Sequence, residues 1–252
     1  MKKLSFVLAA AASLAAVPAL AADLRLQRER PVTKAPAYAP VPVALWQGFY
    51  LGGQIGYQWG RVRQEEFAVA TGLNTGINPS WEPGGVVGGL HAGVNMQSGA
   101  FVYGLEGDIE ASGVRGTHTA AAPFTSTDFD NRWQGSVRGR VGIAMGPTLL
   151  YATGGLAFAD LAGTYYVGAG PRQEFRSTEA GWTVGAGLEY AVAPNWTTRI
   201  EYRYTDYGQL TDTPSAAVVP GGFGYRNNVD FHTVRLGLSY KFGGGGPVVA
   251  SY

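Results

Sequence analysis

Residues 231–242 read FHTVRLGLSYKF. From Val234 onward, every second residue is apolar or aromatic, ending with Tyr240 and Phe242. The residues between them are Arg235, Gly237, Ser239 and Lys241. A two-residue period predicts a β-strand with one apolar and one polar face. The fold depends on whether that apolar face lies in a protein core or against lipid.

The composition of the chain is unusual for a soluble domain. Charged residues make up 15% of the 252 residues, whereas about a quarter is usual. There are 38 glycines, about twice the ordinary share, and they show no collagen period. The absence of cysteine excludes disulfides and thiolate metal sites.

The first 21 residues have the order of a secretory signal peptide. Lys2 and Lys3 precede an apolar run from Leu4 to Val17, and Ala19-Leu20-Ala21 follows as a cleavage site. A membrane anchor is the alternative, but the run is shorter than the roughly 20 residues that span a bilayer. Removing the signal removes Lys2 and Lys3. It leaves 19 − 2 = 17 Lys and Arg against 18 Asp and Glu. A nearly neutral mature chain does not indicate a nucleic-acid partner.

Two short segments flank the main domain. Residues 22–45 contain Pro31, Pro36, Pro40 and Pro42, and we expect a flexible periplasmic tether there. Residues 243–252, GGGGPVVASY, predict a loose glycine-rich C-terminal tail. The domain between them covers residues 46–242.

Within this domain, β-type alternation recurs between breaks. We find eight such stretches, at 47–59, 85–97, 101–112, 132–144, 149–160, 181–192, 196–207 and 230–242. The breaks near 98–100, 145–147 and 193–195 are short, whereas those at 60–84, 113–131, 161–180 and 208–229 are long and polar. Short turns on one side and long loops on the other are typical of an outer-membrane barrel. The fold class is therefore all-β, an eight-stranded antiparallel transmembrane barrel with both ends in the periplasm and four extracellular loops.

The polar face of the strands predicts a crowded lumen. Glycines such as Gly52, Gly89 and Gly155 lie on the charged side of the alternation, where a water-exposed surface would have no need for small residues. The inward charges are Glu106, Asp108, Glu110, Arg138, Arg140, Glu189, Arg199, Glu201, Arg203, Arg235 and Lys241. They could form a proton or ion path, but the balance of signs favours a structural salt-bridge network.

Aromatic residues cluster at the strand ends, as expected for side chains at the two interfaces with outer-membrane lipid. This predicted girdle consists of Trp46, Phe49, Tyr57, Tyr103, Trp133, Trp182, Tyr190, Trp196, Tyr204, Tyr240 and Phe242. We expect the barrel-insertion machinery to bind the C-terminal strand, and its signal could lie at Phe242 or at Tyr252.

Several stretches carry a family resemblance: WQGFYLGGQIGYQWG, YATGGLAFA, GWTVGAGLEYAVAPNWTTRIEYRYTDYG and TVRLGLSYKF. With these motifs, residues 46–242 resemble the small alphaproteobacterial outer-membrane β-barrel proteins of the porin family, which are similar to the barrel domain of OmpA. The resemblance implies an eight-stranded barrel in the Gram-negative outer membrane and no catalytic residues. The family pattern usually ends the chain at the last aromatic residue, whereas here Phe242 is followed by ten more residues.

Two function classes remain open. The protein is expected to be a structural and surface-interaction protein whose loops bind an unknown ligand, or else a passive pore for small solutes or ions. An enzyme is disfavoured, because His91, His118 and His232 lack a serine partner in any motif. No cofactor or metal site is expected.

Overall fold

The computed structural model of the protein describes residues 45–119, 125–219 and 221–242. The predicted signal peptide, the tether up to residue 44 and the tail at 243–252 lie outside the described residues. Among the described residues, no helix is long and apolar enough to cross a membrane.

The described chain is a single antiparallel sheet of eight long strands and one short strand. In chain order the strands are β1 (Gly48–Ala68), β2 (Ser80–Trp81), β3 (Gly84–Ser98), β4 (Phe101–Thr119), β5 (Thr125–Met145), β6 (Thr148–Val167), β7 (Arg172–Ala193), β8 (Trp196–Asp212) and β9 (Phe223–Phe242). The two-residue β2 folds back on β1, with Val62 paired to Trp81.

The eight long strands form a closed ring. Each strand pairs with its neighbour in sequence, and β9 pairs with β1 from Phe49 opposite Phe242 to Ala68 opposite Phe223. Closure matters because lipid offers no hydrogen-bond partners to an open strand edge. The predicted eight-stranded antiparallel barrel is confirmed.

The side-chain alternation has the sense predicted from the sequence. Leu51, Ile55, Leu105 and Val137 are among the large apolar side chains that point outward and are exposed. Gln54, Glu106, Arg138 and other polar side chains on the same strands are buried in the lumen. A soluble protein would bury the apolar face and expose the polar one. The apolar outer face of this barrel therefore contacts lipid.

The turns at the periplasmic end are as short as predicted. β3 and β4 are joined through Gly99 and β5 and β6 through Gly146, and both glycines have a φ of 60°. Only glycine adopts this left-handed conformation at little cost, so these positions allow two-residue turns.

The predicted extents of the extracellular loops are wrong. Most of 113–131 and 161–180 continues as paired strand, and the connections shrink to 69–79 before β2, 120–124, 168–171 and 213–222. Alternation between apolar outer and polar inner residues exists only where lipid covers the outer face. Above that level the outer face is polar and the inner face is mixed, as in residues 126–131, where the inward Phe129 lies among polar residues. The sequence pattern of a strand therefore disappears although the strand continues.

The lipid-facing band has the height of an outer membrane. Between Phe49 and Trp59 on β1, ten residues rise at about 3.3 Å each and tilt by about 40°, which gives about 25 Å. Beyond Trp59 the strand runs on to Ala68. The barrel wall therefore extends about 20 Å above the membrane by the same geometry.

Candidate functional site

The membrane-embedded lumen holds a compact network of paired charges, which we call the lumen network. It contains five acids and five arginines: Glu106, Asp108, Glu110, Glu189, Glu201, Arg138, Arg140, Arg199, Arg203 and Arg235. The formal charges cancel. Ten ionised groups at this depth are tolerable only because they neutralise one another.

Arg138 is the hub of the network. Its guanidinium donates to Glu106 at 2.6 Å, to Glu201 at 2.8 Å and to Asp108 at 3.1 Å, and its side chain is fully buried. Strands β4, β5 and β8 supply these groups, so the contacts cross the lumen as well as following neighbouring strands. The wide, planar donor set of arginine suits such multiple contacts.

Arg235 and Arg203 extend the network toward the extracellular side. Arg235 donates to Glu110 at 2.9 Å and to Glu201 at 2.5 Å. Arg203 donates to Asp108 at 3.2 Å and to Glu110 at 3.0 Å. Each of these carboxylates thus serves at least two cations.

Uncharged polar side chains, which are not among the predicted network residues, complete the network. Tyr50 donates its hydroxyl proton to Glu106 at 2.7 Å, and Gln54 and Gln134 donate to Glu110 at 2.7 and 2.8 Å. Tyr50 also lies 3.4 Å from Arg140, which pairs with Glu189, so it joins that pair to the rest. Gln54 and Gln134 lie on the polar face of the alternation, as the sequence predicts. Tyr50 shares the inward parity of Gly52, which was the available signal for it.

Lys241 is not part of the network, contrary to the sequence prediction. Its ammonium group donates to the backbone carbonyl of Leu45, a residue before the first strand. Lys241 lies at the last inward position of β9, at the periplasmic end of the barrel, where Leu45 is within reach.

The sequence prediction for Trp46 is also wrong. It was expected in the aromatic girdle, but only 2% of it is exposed. It packs with Val102, Leu149 and Tyr151 inside the periplasmic end of the barrel, and its indole N–H donates to the carbonyl of Gly146 at 3.3 Å. The four side chains form a periplasmic plug below the charges.

An apolar layer covers the charges from the extracellular side as well. It consists of Val62, Val87, Val114, Phe129, Ala157, Ala159, Leu161, Tyr207, Val229 and Phe231. Phe231 is completely buried, and its ring lies 6.0 Å from that of Phe129 and 6.2 Å from that of Tyr207. Sequence reasoning missed this upper apolar layer because β-bulges at Ala111/Val114, Asn131/Gln134 and Asp206/Gln209 shift the alternation.

The other girdle residues form two rings on the outer surface. The lower ring contains Phe49, Tyr103, Tyr190, Trp196, Tyr240 and Phe242, and the upper ring contains Tyr57, Trp133, Trp182 and Tyr204. His232 joins the upper ring, where it stacks on Trp59 at 5.9 Å and accepts or donates a hydrogen bond with the Tyr202 hydroxyl at 2.7 Å. It therefore behaves as an interfacial aromatic side chain.

One histidine does have a serine partner, which the sequence did not reveal. His91 Nε2 lies 2.7 Å from the hydroxyl of Ser239, across β1. Both residues are 1% exposed, and the other ring nitrogen of His91 has no partner among the described residues. A Ser–His pair without an orienting group and closed off from substrate is not the arrangement of a nucleophilic site.

Above the upper apolar layer, the extracellular half of the barrel encloses a cavity of about 200 Å³. Trp81, Phe129, Tyr165 and Phe175 supply aromatic walls, and Asp212 is among the polar lining residues. The Tyr165 hydroxyl donates to Asp212 at 2.7 Å, and the Asn227 amide donates to the same carboxylate oxygen at 3.2 Å. Burial, with a contribution from nearby Glu179, raises the pKa of Asp212 above its usual value.

Comparisons with known proteins agree with this architecture. The sequence matches the family model of the outer membrane protein beta-barrel domain over residues 7–242. It is 35% identical over 249 residues to the 31 kDa outer-membrane immunogenic protein of Brucella melitensis, a match that covers 94% of this chain and 99% of the relative. It is 37% identical over 207 residues to the 22 kDa outer membrane protein of Rhizobium leguminosarum bv. viciae, covering 81% of this chain and 82% of the relative.

The barrel fold, its apolar outer surface and its outer-membrane relatives all place the protein in the Gram-negative outer membrane. The relatives are named as outer-membrane proteins and not as enzymes. The chain belongs to the outer membrane protein beta-barrel domain family, within its small alphaproteobacterial members.

Proposed function

We propose that the protein is a sealed barrel that presents a rigid extracellular surface for interactions, and that it is neither a pore nor an enzyme. The single observation that carries the proposal is the closed lumen. The periplasmic plug, the lumen network and the upper apolar layer are stacked along the barrel axis.

A conducting path would have to cross both the charges and the apolar layer. An interior of eight strands is just wide enough for side chains to fill it. Moving an arginine such as Arg138 aside would separate it from three carboxylates, and an uncompensated buried charge costs about 3–5 kcal/mol. No observation of the lumen favours the pore alternative.

The barrel offers an interaction surface instead. Its wall rises about 20 Å above the membrane and carries four connections at its tip. The Brucella relatives are named immunogenic proteins, which supports exposure of the corresponding surface to antibodies.

Two measurements test the proposal. In planar bilayers, the refolded protein should give no stepwise conductance under conditions in which a sixteen-stranded porin conducts. Antibodies raised against the folded protein should bind intact cells. Binding should fall when 69–79, 168–171 and 213–219 are replaced by Gly/Ser segments of equal length.

The replaced variants must keep the heat-dependent shift in electrophoretic mobility that marks a folded barrel. Regular single-channel steps would contradict the sealed lumen. Unchanged antibody binding after all three replacements would contradict the role of the connections as the exposed surface.

A further inference from the structure

The barrel wall beside the extracellular cavity has an interruption in its backbone pairing. Pairing between β7 and β8 ends at Trp182 opposite Asp206. Above this point β7 continues to Arg172 paired only with β6, and β8 continues to Asp212 paired only with β9. We call this unpaired stretch between the two strands the seam; it begins just above the upper aromatic ring.

A β-bulge produces the seam. The register of β8 shifts between Asp206 and Gln209, and Gly208 between them has a φ of 72°. The Asp206 carboxylate accepts the Gly208 N–H at 2.7 Å and holds the turn. Because bulges bend the strand that carries them, the upper part of β8 diverges from β7.

Residues on both sides of the seam line the cavity. Glu179 and Phe175 lie on β7, and Gln209 and Asp212 lie on β8. The cavity therefore lies directly behind the part of the wall that has no backbone pairing, which is the route that the proposal below assigns to a ligand. The floor of the cavity is the upper apolar layer, through Phe129 and Val229.

The charges of the cavity have one sign. Its lining contains two carboxylates, Glu179 and Asp212, and no lysine or arginine. Neither carboxylate has an ion pair among the described residues. Arg176, which lies on the same strand as Glu179, is engaged by Asp160 at 2.5 Å and Glu174 at 2.7 Å.

The other walls of the cavity are largely aromatic and suit the apolar part of a ligand. Tyr165 and Phe175 meet edge to face at 5.8 Å, and Trp81 stacks on His118 at 5.1 Å. Aromatic faces attract cations as well as apolar groups. The indole N–H of Trp81 is buried without an acceptor among the described residues, so it can donate to a ligand.

We propose that this cavity binds a small organic cation with an apolar body, which enters through the seam between β7 and β8. The ammonium group would lie between Glu179 and Asp212, and the apolar body would lie against the aromatic walls. A volume of about 200 Å³ admits one compact molecule of this kind and excludes a folded peptide. An anion would be repelled by both carboxylates.

Three probes of one shape test the charge preference: para-fluorophenethylamine, the corresponding neutral alcohol and para-fluorophenylacetate. Binding to the full-length mature protein in lipid nanodiscs is followed by fluorine NMR, with empty nanodiscs to correct for partitioning into lipid. The amine should bind saturably, the alcohol about tenfold more weakly, and the carboxylate without saturation. A factor of ten corresponds to about 1.4 kcal/mol.

Variants locate the binding. Glu179→Gln and Asp212→Asn should each weaken amine binding about tenfold. Glu174→Gln is the matched control, because it removes the same charge from β7 outside the cavity. Glu179 does not hydrogen-bond to Tyr165 or Asn227, so its variant tests the site even if Asp212→Asn disturbs the local fold.

Equal binding of amine and alcohol would overturn the proposal. So would amine binding that is indistinguishable from that of empty nanodiscs, or binding that Glu179→Gln leaves unchanged in a protein that keeps its heat-dependent mobility shift. None of these outcomes bears on conductance or antibody binding, so the sealed-barrel proposal is tested separately.

Discussion

Arg138 shows what a single residue contributes to this barrel. Removing its guanidinium leaves Glu106, Asp108 and Glu201 with one cation fewer in a lumen that has little access to water. Breaking a buried ion pair from one side is far more destructive than breaking one at the surface.

Arg138→Ala should therefore lower the free energy of unfolding by about 3–5 kcal/mol, measured by urea denaturation of the folded protein in detergent micelles. Adding Glu106→Gln should restore part of the loss, since the network is then nearer neutrality. Arg115→Ala is the control: Arg115 is 82% exposed, its contact with Asp130 is 3.5 Å long, and its loss should cost no more than about 1 kcal/mol. Strictly additive effects of Arg138→Ala and Glu106→Gln would count against a coupled network.

Neighbouring glycines on β6 test the crowding of the lumen. A Cβ atom at Gly155 would lie 2.1 Å from the carbonyl oxygen of Val137 and 2.7 Å from Cα of Arg138, whereas one at Gly154 would meet nothing closer than 3.8 Å. Backbone atoms of a paired strand cannot move aside as a flexible side chain can.

Gly155→Ala should thus reduce the fraction of protein that refolds and shifts in unheated electrophoresis, while Gly154→Ala, which points toward lipid, should refold like the parent. If both variants refold equally well, inward glycines are not required for close strand approach in this barrel.

Among the strands, the last one is the most important for assembly, because it closes the barrel. β9 closes the ring against β1, with Phe242 opposite Phe49, and the rings of Tyr240 and Phe242 lie 5.0 Å apart edge to face. These rings belong to the lower aromatic ring, where amphipathic side chains anchor a strand at the interface. We propose that the insertion machinery reads this strand end and not the residues after it.

Phe242→Ser in the full-length chain should accordingly impair assembly, measured as the heat-shifting fraction in outer-membrane preparations. Deleting 243–252, which lie outside the described residues, should leave that fraction nearly unchanged. If the deletion abolishes insertion and Phe242→Ser has no effect, the signal lies at Tyr252.

The whole molecule is a membrane barrel with a long, paired extracellular continuation. Arg172 and Arg226 fall within the breaks 161–180 and 208–229 that the sequence predicts to be loops, but both lie in strands. Arg172 pairs with Tyr166 on β6, and Arg226 contacts Glu65 at 2.9 Å. The connections 69–79, 120–124, 168–171 and 213–222 contain no lysine or arginine.

Trypsin added to intact cells should therefore leave the barrel uncut, because its sites lie in hydrogen-bonded strands that must open before they are cleaved. Proteinase K should cut within 69–79, which is mostly exposed and needs no basic residue. The fragments are followed by immunoblotting and mass spectrometry, and unfolded protein serves as the control that trypsin does cleave. Rapid tryptic cleavage at Arg172 or Arg226 would show that the upper strands open readily.

The number of membrane strands, their lipid-facing residues and the short periplasmic turns were all predictable from the sequence. The reason is local: lipid on one face and a packed lumen on the other impose a two-residue period on each strand separately. Stretches such as VRLGLSYKF and the turn glycines at 99 and 146 carry that information without reference to the rest of the chain.

Only the tertiary structure revealed the features that depend on residues far apart in sequence or on exposure of the outer face to water. Above the membrane, water wets the outer face and the period vanishes, so the upper strands and the seam between β7 and β8 could not be recognised. Trp46 and Lys241 have the residue types expected of the girdle and the network. However, Leu45 and Trp46, just before β1, lie within the periplasmic end of the barrel, so Trp46 packs inside it and Lys241 donates to Leu45. The contacts of Arg138 with β4 and β8 likewise arise only when the ring closes, because closure brings strands together across the lumen that are far apart in sequence.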